Sequence, residues 1–297
     1  MGKKSVLLRL SVLGMLLMLA GCEGMLFHPD RHVYATPADF NVSYRAVTFD
    51  SSDGTRLSGW WMEPSDEAKG TVLVAHGNAE NISSHFAGFG WLVRAGYEVF
   101  IFDYRGYGKS EGEPDLEGAV QDTQAALAYV LRQRQGSIVA VGQSLGGALL
   151  MNALARSGSG RVALAVFDST FASLPQAGED VLARSAVTWP FQWSADLALT
   201  DRYDPIRLAP ELAVPKLYLA GSKDAVVSPN HSWQLFDASK RPRAFWLVEG
   251  AGHINVFARR DVQRRFLAFL RRPCFDPDAS AMLIFDTIVL QNNPERE

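Results

Sequence analysis

Gly142-Gln143-Ser144-Leu145-Gly146-Gly147 is the stretch of the sequence that decides the fold. An apolar run, Ile138-Val139-Ala140-Val141, precedes it, and Ala148-Leu149-Leu150-Met151 follows. This order predicts a buried strand, a tight turn and a helix. A Gly-x-Ser-x-Gly in this setting is typical of a nucleophile elbow, a strained turn that holds the serine hydroxyl above the edge of a sheet. We therefore predict that Ser144 is a catalytic nucleophile.

The rest of the sequence alternates apolar strands with helices around this motif. An Asp-Gly turn joins two alternating segments, as in an antiparallel hairpin. Strands are predicted at 46–50, 57–62, 71–75, 98–102, 163–167, 216–220 and 244–248, and helices at 83–95, 116–134 and 256–271. This alternation predicts an α/β fold with a mostly parallel sheet covered by helices on both faces. The active site of such a sheet lies beyond the carboxyl ends of its strands.

The first residues have the composition of a targeting signal. Three basic residues precede an apolar run over 10–19, which is shorter than a membrane-spanning helix requires. The sequence then reads Leu19-Ala20-Gly21-Cys22, which resembles the lipobox of bacterial lipoproteins. The alternative is an ordinary secretory signal that happens to contain a cysteine. We expect a signal peptide over 1–21 and a lipid on Cys22.

The lipobox resemblance implies a protein of the bacterial cell envelope that faces the periplasm and is held at the membrane by its anchor. Glu23 stands at the second mature position, where an aspartate is associated with retention in the inner membrane, so the outer membrane is favoured. A polar, irregular tether is predicted over 22–45. It leads to a domain over 46–272.

The composition argues against two other classes of protein. The chain has 297 residues, 47% of them hydrophobic, which suits one large α/β domain with its own core. Two cysteines and six histidines without close spacing argue against a structural zinc site. A net charge of −3 and the lack of a basic face with interleaved aromatics argue against nucleic-acid binding.

Six arginines lie on or next to the last predicted helix, and they predict a solvated face. Contact with anionic lipid head groups is the alternative. The six arginines are Arg259, Arg260, Arg264, Arg265, Arg271 and Arg272.

A serine hydroxyl needs a base that takes its proton and a carboxylate that orients the base. His253, in a glycine-containing loop after the last strand, is the predicted base, and a surface-loop histidine is the alternative. Either Asp224 or Asp168 could orient it, because each follows a strand and the order serine, aspartate, histidine fits both. We favour Asp224, whose Gly-x-x-Asp turn and following Val-Val-x-Pro match the usual acid loop. Asp168 is then a structural carboxylate that binds loop amides.

The tetrahedral intermediate of such a reaction needs two preorganised N–H donors. One is predicted at Leu145, directly after the serine. The other is predicted at Asn78, in His76-Gly77-Asn78-Ala79 after the strand at 71–75. His76 itself is predicted to pack beneath these donors without a role in proton transfer.

Together these segments resemble the α/β-hydrolase superfamily, and within it the bem-like and serine-aminopeptidase-like proteins. The resemblance covers about 47–270 and rests on 76–81, 103–112, 142–147, the Asp224 loop and Gly252-His253. It implies an α/β-hydrolase fold with a mostly parallel eight-stranded sheet and a small helical lid. It also implies hydrolysis of carboxylic esters, thioesters or peptides without a metal or organic cofactor.

We expect a serine hydrolase that acts on small esters or thioesters through an acyl-enzyme. A peptidase is the first alternative, because Gly146-Gly147 also occurs in prolyl-oligopeptidase-like elbows. A catalytically silent envelope lipoprotein with the same fold is the second. The lid is predicted over 170–214, where aromatics between Trp189 and Trp193 line an acyl pocket or pack on the sheet. The tail over 273–297 contains an apolar run that predicts a strand or a docked helix, and no functional role follows from it.

Overall fold

The computed structural model describes residues 27–183, 200–272, 275 and 282–285. The predicted signal peptide over 1–21 and Cys22 lie outside the described residues. The same holds for Trp189 and Trp193 of the predicted lid, and for most of the tail over 273–297.

The described part of the chain forms eleven strands, nine of which make one sheet. They are β1 (His28–Pro29), β2 (Ser43–Asp50), β3 (Arg56–Glu63), β4 (Thr71–Ala75), β5 (Ala79–Glu80), β6 (Glu98–Phe102), β7 (Ile138–Gln143), β8 (Val162–Asp168), β9 (Lys216–Gly221), β10 (Arg243–Val248) and β11 (Met282–Phe285). The spatial order of the sheet is β11-β10-β9-β8-β7-β4-β6-β3-β2. β3 pairs antiparallel with β2 and β6, and the other neighbours are parallel. β1 pairs with β5 outside this sheet.

Helices cover both faces of the sheet. The described ones are α1 (Ile82–His85), α2 (Gly90–Arg94), α3 (Leu116–Gln133), α4 (Leu145–Ser157), α5 (Leu174–Ala183), α6 (Pro205–Leu208), α7 (Pro229–Ala238) and α8 (Arg260–Arg271). Side chains of β4 alternate between the faces, with Leu73 packing toward α3 and α4 and Val72 toward α2 and α8. None of the described helices is long and apolar enough to cross a membrane.

The predicted α/β fold, a mostly parallel sheet with helices on both faces, is confirmed. β11 extends the expected eight strands to nine by pairing in parallel with Phe245–Val248 of β10. The helix expected over 83–95 is interrupted by a 3-10 turn at Phe86–Gly88. The helix expected from 256 begins with the 3-10 turn Val256–Ala258, and α8 starts only at Arg260, after an extended Arg259.

The described part of the tether predicted over 22–45 has little regular secondary structure but contacts the domain. Phe27 is buried against Tyr107, with the ring centroids 6.4 Å apart. The side-chain amide of Asn81 donates to the carbonyl oxygens of Asp30 and His32. β2 already begins at Ser43. These contacts join residues 49 to 80 positions apart in the chain, so no local pattern could have revealed them.

Candidate active site

Ser144 lies between β7 and α4 with a φ of 51° and a ψ of −117°. A residue with a side chain adopts such a backbone only where the surroundings impose it. The neighbouring glycines allow the turn to form, because a Cβ on Gly146 would lie 2.2 Å from the carbonyl oxygen of Ala75. A Cβ on Gly142 would lie 2.5 Å from the Cα of Gly147. The elbow therefore depends on close approach between β4, β7 and α4.

The two predicted oxyanion donors lie beyond the ends of neighbouring strands. Ala75 of β4 is paired with Gly142 of β7, and Asn78 and Leu145 each follow three residues later. Leu145 is the first residue of α4, so its N–H is among those that have no acceptor within the helix. The side-chain oxygen of Asn78 accepts from the hydroxyl of Tyr107 at 2.8 Å. That bond holds the loop after β4 in place.

His253 is hydrogen-bonded to Asp224. The Nδ1 of His253 lies 2.8 Å from Oδ2 of Asp224, and the carboxylate side chain is almost wholly buried. Oδ1 of Asp224 also accepts from the N–H groups of Val226 and Val227, at 2.8 Å and 2.9 Å. Burial alone would raise the pKa of Asp224, but the hydrogen bond and charge of His253 and these amides outweigh it and lower the pKa. An ionised carboxylate thus receives the Nδ1–H, which leaves Nε2 of His253 with a lone pair.

The loops that carry Asp224 and His253 are held against each other by their backbones. The N–H of Lys223 donates to the carbonyl oxygen of Ala251 at 2.9 Å. The N–H of Gly250 donates to the hydroxyl of Ser222 at 2.9 Å. A Cβ on Gly221 would lie 2.3 Å from the carbonyl oxygen of Ala251, so this approach requires glycine.

Asp168, the alternative acid, has other partners. Its wholly buried carboxyl accepts from the side-chain amide of Gln143 at 3.0 Å and from the hydroxyl of Ser169 at 3.2 Å. Its main-chain carbonyl accepts from the N–H of Ser144 at 2.9 Å. Burial raises the pKa of this carboxyl to about 6. The sequence predicts loop amides as its partners, whereas in the structure the carboxyl binds two side chains. The register of β7 and β8 pairs Gln143 with Asp168, and Ser169 is the next residue in the chain.

His76 and Asp103 support the loop that carries Asn78. The ring of His76 is wholly buried, and its Nδ1 donates to the carbonyl oxygen of Gly77 at 2.7 Å. Burial lowers the pKa of His76 well below its usual range, so this histidine is neutral. Asp103 accepts from the N–H of Ile82 at 2.9 Å, at the start of α1. Both side chains thus lie beneath the loop, where the sequence analysis placed His76.

Three polar side chains near the site were missed at the level of sequence. Gln143 bonds Asp168, and the hydroxyl of Ser169 accepts from the N–H of Ile254, next to His253, at 3.2 Å. His231 of α7 bonds Asp180 of α5 at 3.0 Å. Gln143 could have been found, since it precedes the serine of the elbow. The other two depend on contacts between segments 50 or more residues apart.

The arrangement suits acyl transfer. A hydroxyl on a strained turn, an imidazole whose tautomer is fixed by a carboxylate, and N–H groups at a helix start are the components of nucleophilic catalysis at a carbonyl carbon. Among the described residues, no group of three or more histidine, cysteine or acidic side chains is placed to hold a metal ion.

Comparison with known proteins places this architecture in a family. A family model described as "Serine aminopeptidase, S33" matches residues 66–206. YfhR of Escherichia coli K12 is 34% identical over 80% of this chain and 83% of its own length. The α/β-hydrolase domain-containing protein WAV2 of Arabidopsis thaliana is 29% identical over 83% of this chain and 85% of its own. An esterase of Pyrococcus furiosus superposes with a TM-score of 0.69 at 21% identity, over 83% of this chain and 98% of its own. The match to YfhR along most of both chains, together with the shared fold, shows that the chain belongs to the α/β-hydrolase superfamily.

Proposed function

We propose that this protein is a serine hydrolase that cleaves carboxylic esters or thioesters of modest size. The observation that carries the proposal is the combination of Ser144 on its strained turn with the hydrogen-bonded pair His253 and Asp224. All three follow the carboxyl ends of strands in one sheet. The names of the matching family and of the Pyrococcus furiosus structure, a serine aminopeptidase and an esterase, support hydrolysis at a carbonyl carbon.

In the first half of the proposed reaction, Oγ of Ser144 attacks the carbonyl carbon of the ester while Nε2 of His253 takes the hydroxyl proton. Asp224 holds the Nδ1–H and stabilises the imidazolium. The N–H groups of Leu145 and Asn78 stabilise the oxyanion. When the intermediate collapses, His253 returns the proton to the departing alcohol or thiol, and an acyl-enzyme remains.

The second half repeats these roles with water. His253 takes a proton from water, whose oxygen attacks the acyl carbon, and then protonates Oγ of Ser144 as the carboxylic acid leaves. No redox partner is required, and one water is consumed for each ester bond that is broken.

Labelling with a fluorophosphonate probe tests the nucleophile. The probe forms a covalent bond with an activated serine, so the wild-type protein should be labelled and Ser144→Ala should not. Ser169→Ala serves as a control for labelling at another buried serine. Persistent labelling of a folded Ser144→Ala protein would remove Ser144 from the proposal.

A serine peptidase is the second candidate, because the matching family is described as a serine aminopeptidase. A paired panel of acyl esters and aminoacyl amides with the same chromogenic leaving group separates the two. We expect faster turnover of the esters. A higher kcat/KM for the aminoacyl amides would favour the peptidase.

A further inference from the structure

A groove of about 440 Å³ lies between α2 and α8 and is lined by three arginines. Arg94 comes from α2, and Arg260 and Arg264 come from α8. All three are exposed, whereas Trp91 beside them is buried and Leu267 is half-buried. We call this surface the arginine groove.

The side chains of the three arginines are unpaired within the described part of the chain. Within the part of the chain that the structure describes, their side chains form no ion pair or hydrogen bond, and no carboxylate lines the groove. Neighbouring arginines of the same region are engaged, since Arg259 bonds Asp261 at 2.7 Å. The chain carries a net charge of −3, so a cluster of unpaired positive charge is not a general property of its surface. Like charges around one groove repel each other, and an anion would relieve that repulsion.

The arginine groove adjoins the candidate active site. A second cavity of about 210 Å³ shares Trp91, Arg94 and Gln263 with the groove. Gln143 and Ile254 also line this cavity. These two residues are the immediate chain neighbours of Ser144 and His253. The groove and the second cavity therefore share part of their walls, and the second cavity borders the chain neighbours of Ser144 and His253.

We propose that the arginine groove binds a phosphate group on the ester substrate, an inference that rests on the proposed function. Guanidinium groups match phosphate oxygens with paired donors, and two or three of them neutralise its charge. The N-terminus of α8, a twelve-residue helix that begins at Arg260, adds partial positive charge at the same place. Trp91 and Leu267 provide an apolar wall for the rest of the molecule. The substrate class is then an acyl ester of a phosphate-bearing alcohol.

Two matched esters test the proposal, monobutyrylglycerol and monobutyrylglycerol 3-phosphate. They differ only in the phosphate. The double variant Arg260→Gln/Arg264→Gln removes two of the charges. Arg94 is left in place because it also borders the acidic residues Glu63 and Asp66 in another groove. Arg271→Gln is the matched control, an exposed arginine at the other end of α8 that does not line the groove.

The wild-type protein should prefer the phosphate ester, and the ratio of the two kcat/KM values should fall at least about fivefold in the double variant. The loss should appear in KM, and added inorganic phosphate should inhibit the wild-type protein more than the double variant. The Arg271→Gln control should keep the wild-type ratio.

Equal ratios in the wild-type protein and the double variant would overturn the proposal. The head groups of a lipid bilayer also carry phosphate and could occupy the groove instead of a substrate. Binding to vesicles of phosphatidylcholine with and without phosphatidylglycerol is therefore measured in parallel. If the double variant loses binding to the anionic vesicles but keeps the ester ratio, the groove contacts a membrane and the substrate assignment is wrong. If the wild-type protein hydrolyses neither ester nor any ester of the panel, it is the proposed function that fails.

Discussion

Asp224 and Asp168 are both buried carboxyls near the elbow, but their surroundings shift their pKa values in opposite directions. Asp224 receives the imidazole of His253 and two backbone N–H groups, and its pKa is lowered. Asp168 receives an amide and a hydroxyl, which are neutral donors, and burial raises its pKa to about 6. A base that becomes positive during turnover is stabilised best by a carboxylate that is already negative. The hydrogen bond from His253, together with the lowered pKa, supports Asp224 as the proposed acid of the triad.

Separate substitutions by asparagine test that choice. Asp224→Asn should lower kcat by about three to four orders of magnitude, because the wrong tautomer of His253 would be favoured. Asp168→Asn should lower it by less than about tenfold, since the amide preserves shape and hydrogen-bonding capacity. Steady-state kinetics on one chromogenic ester gives both numbers, and circular dichroism checks that each variant is folded. A crippled Asp168→Asn with an active Asp224→Asn would reverse the assignment.

Asp103 should make the stability of the protein depend on pH. Burial raises the pKa of its carboxyl from 3.8 to about 7, so between these values the native state holds a proton that the unfolded chain has released. The contribution of Asp103 to the free energy of unfolding should therefore fall as the pH rises from about 4 to about 7, by up to about 1.4 kcal/mol per pH unit. His76 and His85, whose pKa values are lowered by burial, contribute in the opposite direction near pH 6. Asp103→Asn should remove this dependence between pH 6 and 7, and the raised pKa of Asp168 should leave a slope below about pH 6.

Urea denaturation at pH 4.5, 5.5, 6.5 and 7.5 measures this effect for the wild-type protein and for Asp103→Asn. An Asp103→Asn protein with the same slope as the wild type between pH 6 and 7 would show that Asp103 is ionised in the native state at those pH values.

The pairing within the site could be predicted only where it depends on local sequence. The loop around Asp224 carries its own signature, a glycine three residues before the acid and two valines whose amides bind it. The bond of Asp168 to Gln143 depends on how β7 and β8 are aligned. That alignment is a property of the sheet, which the sequence of either strand alone does not specify.

At the scale of elements, a buried histidine is one of the groups that connect α5 to the body of the protein. His231 of α7 donates from Nε2 to Asp180 of α5 at 3.0 Å, and its Nδ1 accepts from the N–H of Ala172 at 3.2 Å. Because a backbone N–H can only donate, Nδ1 is the acceptor and Nε2 the donor of this ring. Both bonds fix the first segment of the predicted lid.

Asp180→Ala should loosen this segment, because it leaves a buried N–H of His231 without an acceptor. Amide hydrogen exchange over 172–183 should become about tenfold faster, while exchange in β7 stays unchanged. Glu179→Ala, which removes the neighbouring carboxylate on the same helix, is the matched control. Equal exchange rates in the two variants would mean that the bond does not hold α5. A change in the KM of Asp180→Ala that Glu179→Ala does not show would connect the lid to substrate binding.

Some elements were predictable and others were not, for reasons visible in their residues. β4 and β7 are short apolar runs bounded by glycine or polar residues, a pattern that belongs to buried strands. α7 was missed because Asn230, His231 and Ser232 obscure its apolar period, although Ser228 caps it and Pro229 occupies its first position. The sequence of the apolar run in the tail fits a strand or a helix equally well. Met282–Phe285 forms the strand β11 because it pairs with the edge of β10.

At the scale of the whole molecule, the chain enters the fold beside the candidate active site. β1 pairs with β5, and the N–H of His28 donates to the side-chain oxygen of Asn78 at 3.1 Å. His28 follows Cys22 by six positions, and a fully extended chain over those six steps spans about 20 Å. A lipid on Cys22 would therefore hold the carboxyl edge of the sheet within about 20 Å of a bilayer surface.

We propose that Cys22 carries this lipid, and two variants of the full-length chain test its consequences. Cys22→Ser should abolish incorporation of labelled palmitate and release the protein from the membrane fraction. Inserting thirty Gly/Ser residues between Gly24 and Met25 should keep the lipid but lengthen the connection by about 30 Å. The inserted variant should then hydrolyse an ester embedded in vesicles more slowly than the wild type, and a soluble ester equally fast, because only the first substrate depends on distance from the bilayer. Unchanged rates on both substrates would show that the short connection does not determine access to the site, and an unlabelled wild-type protein would refute the anchor itself.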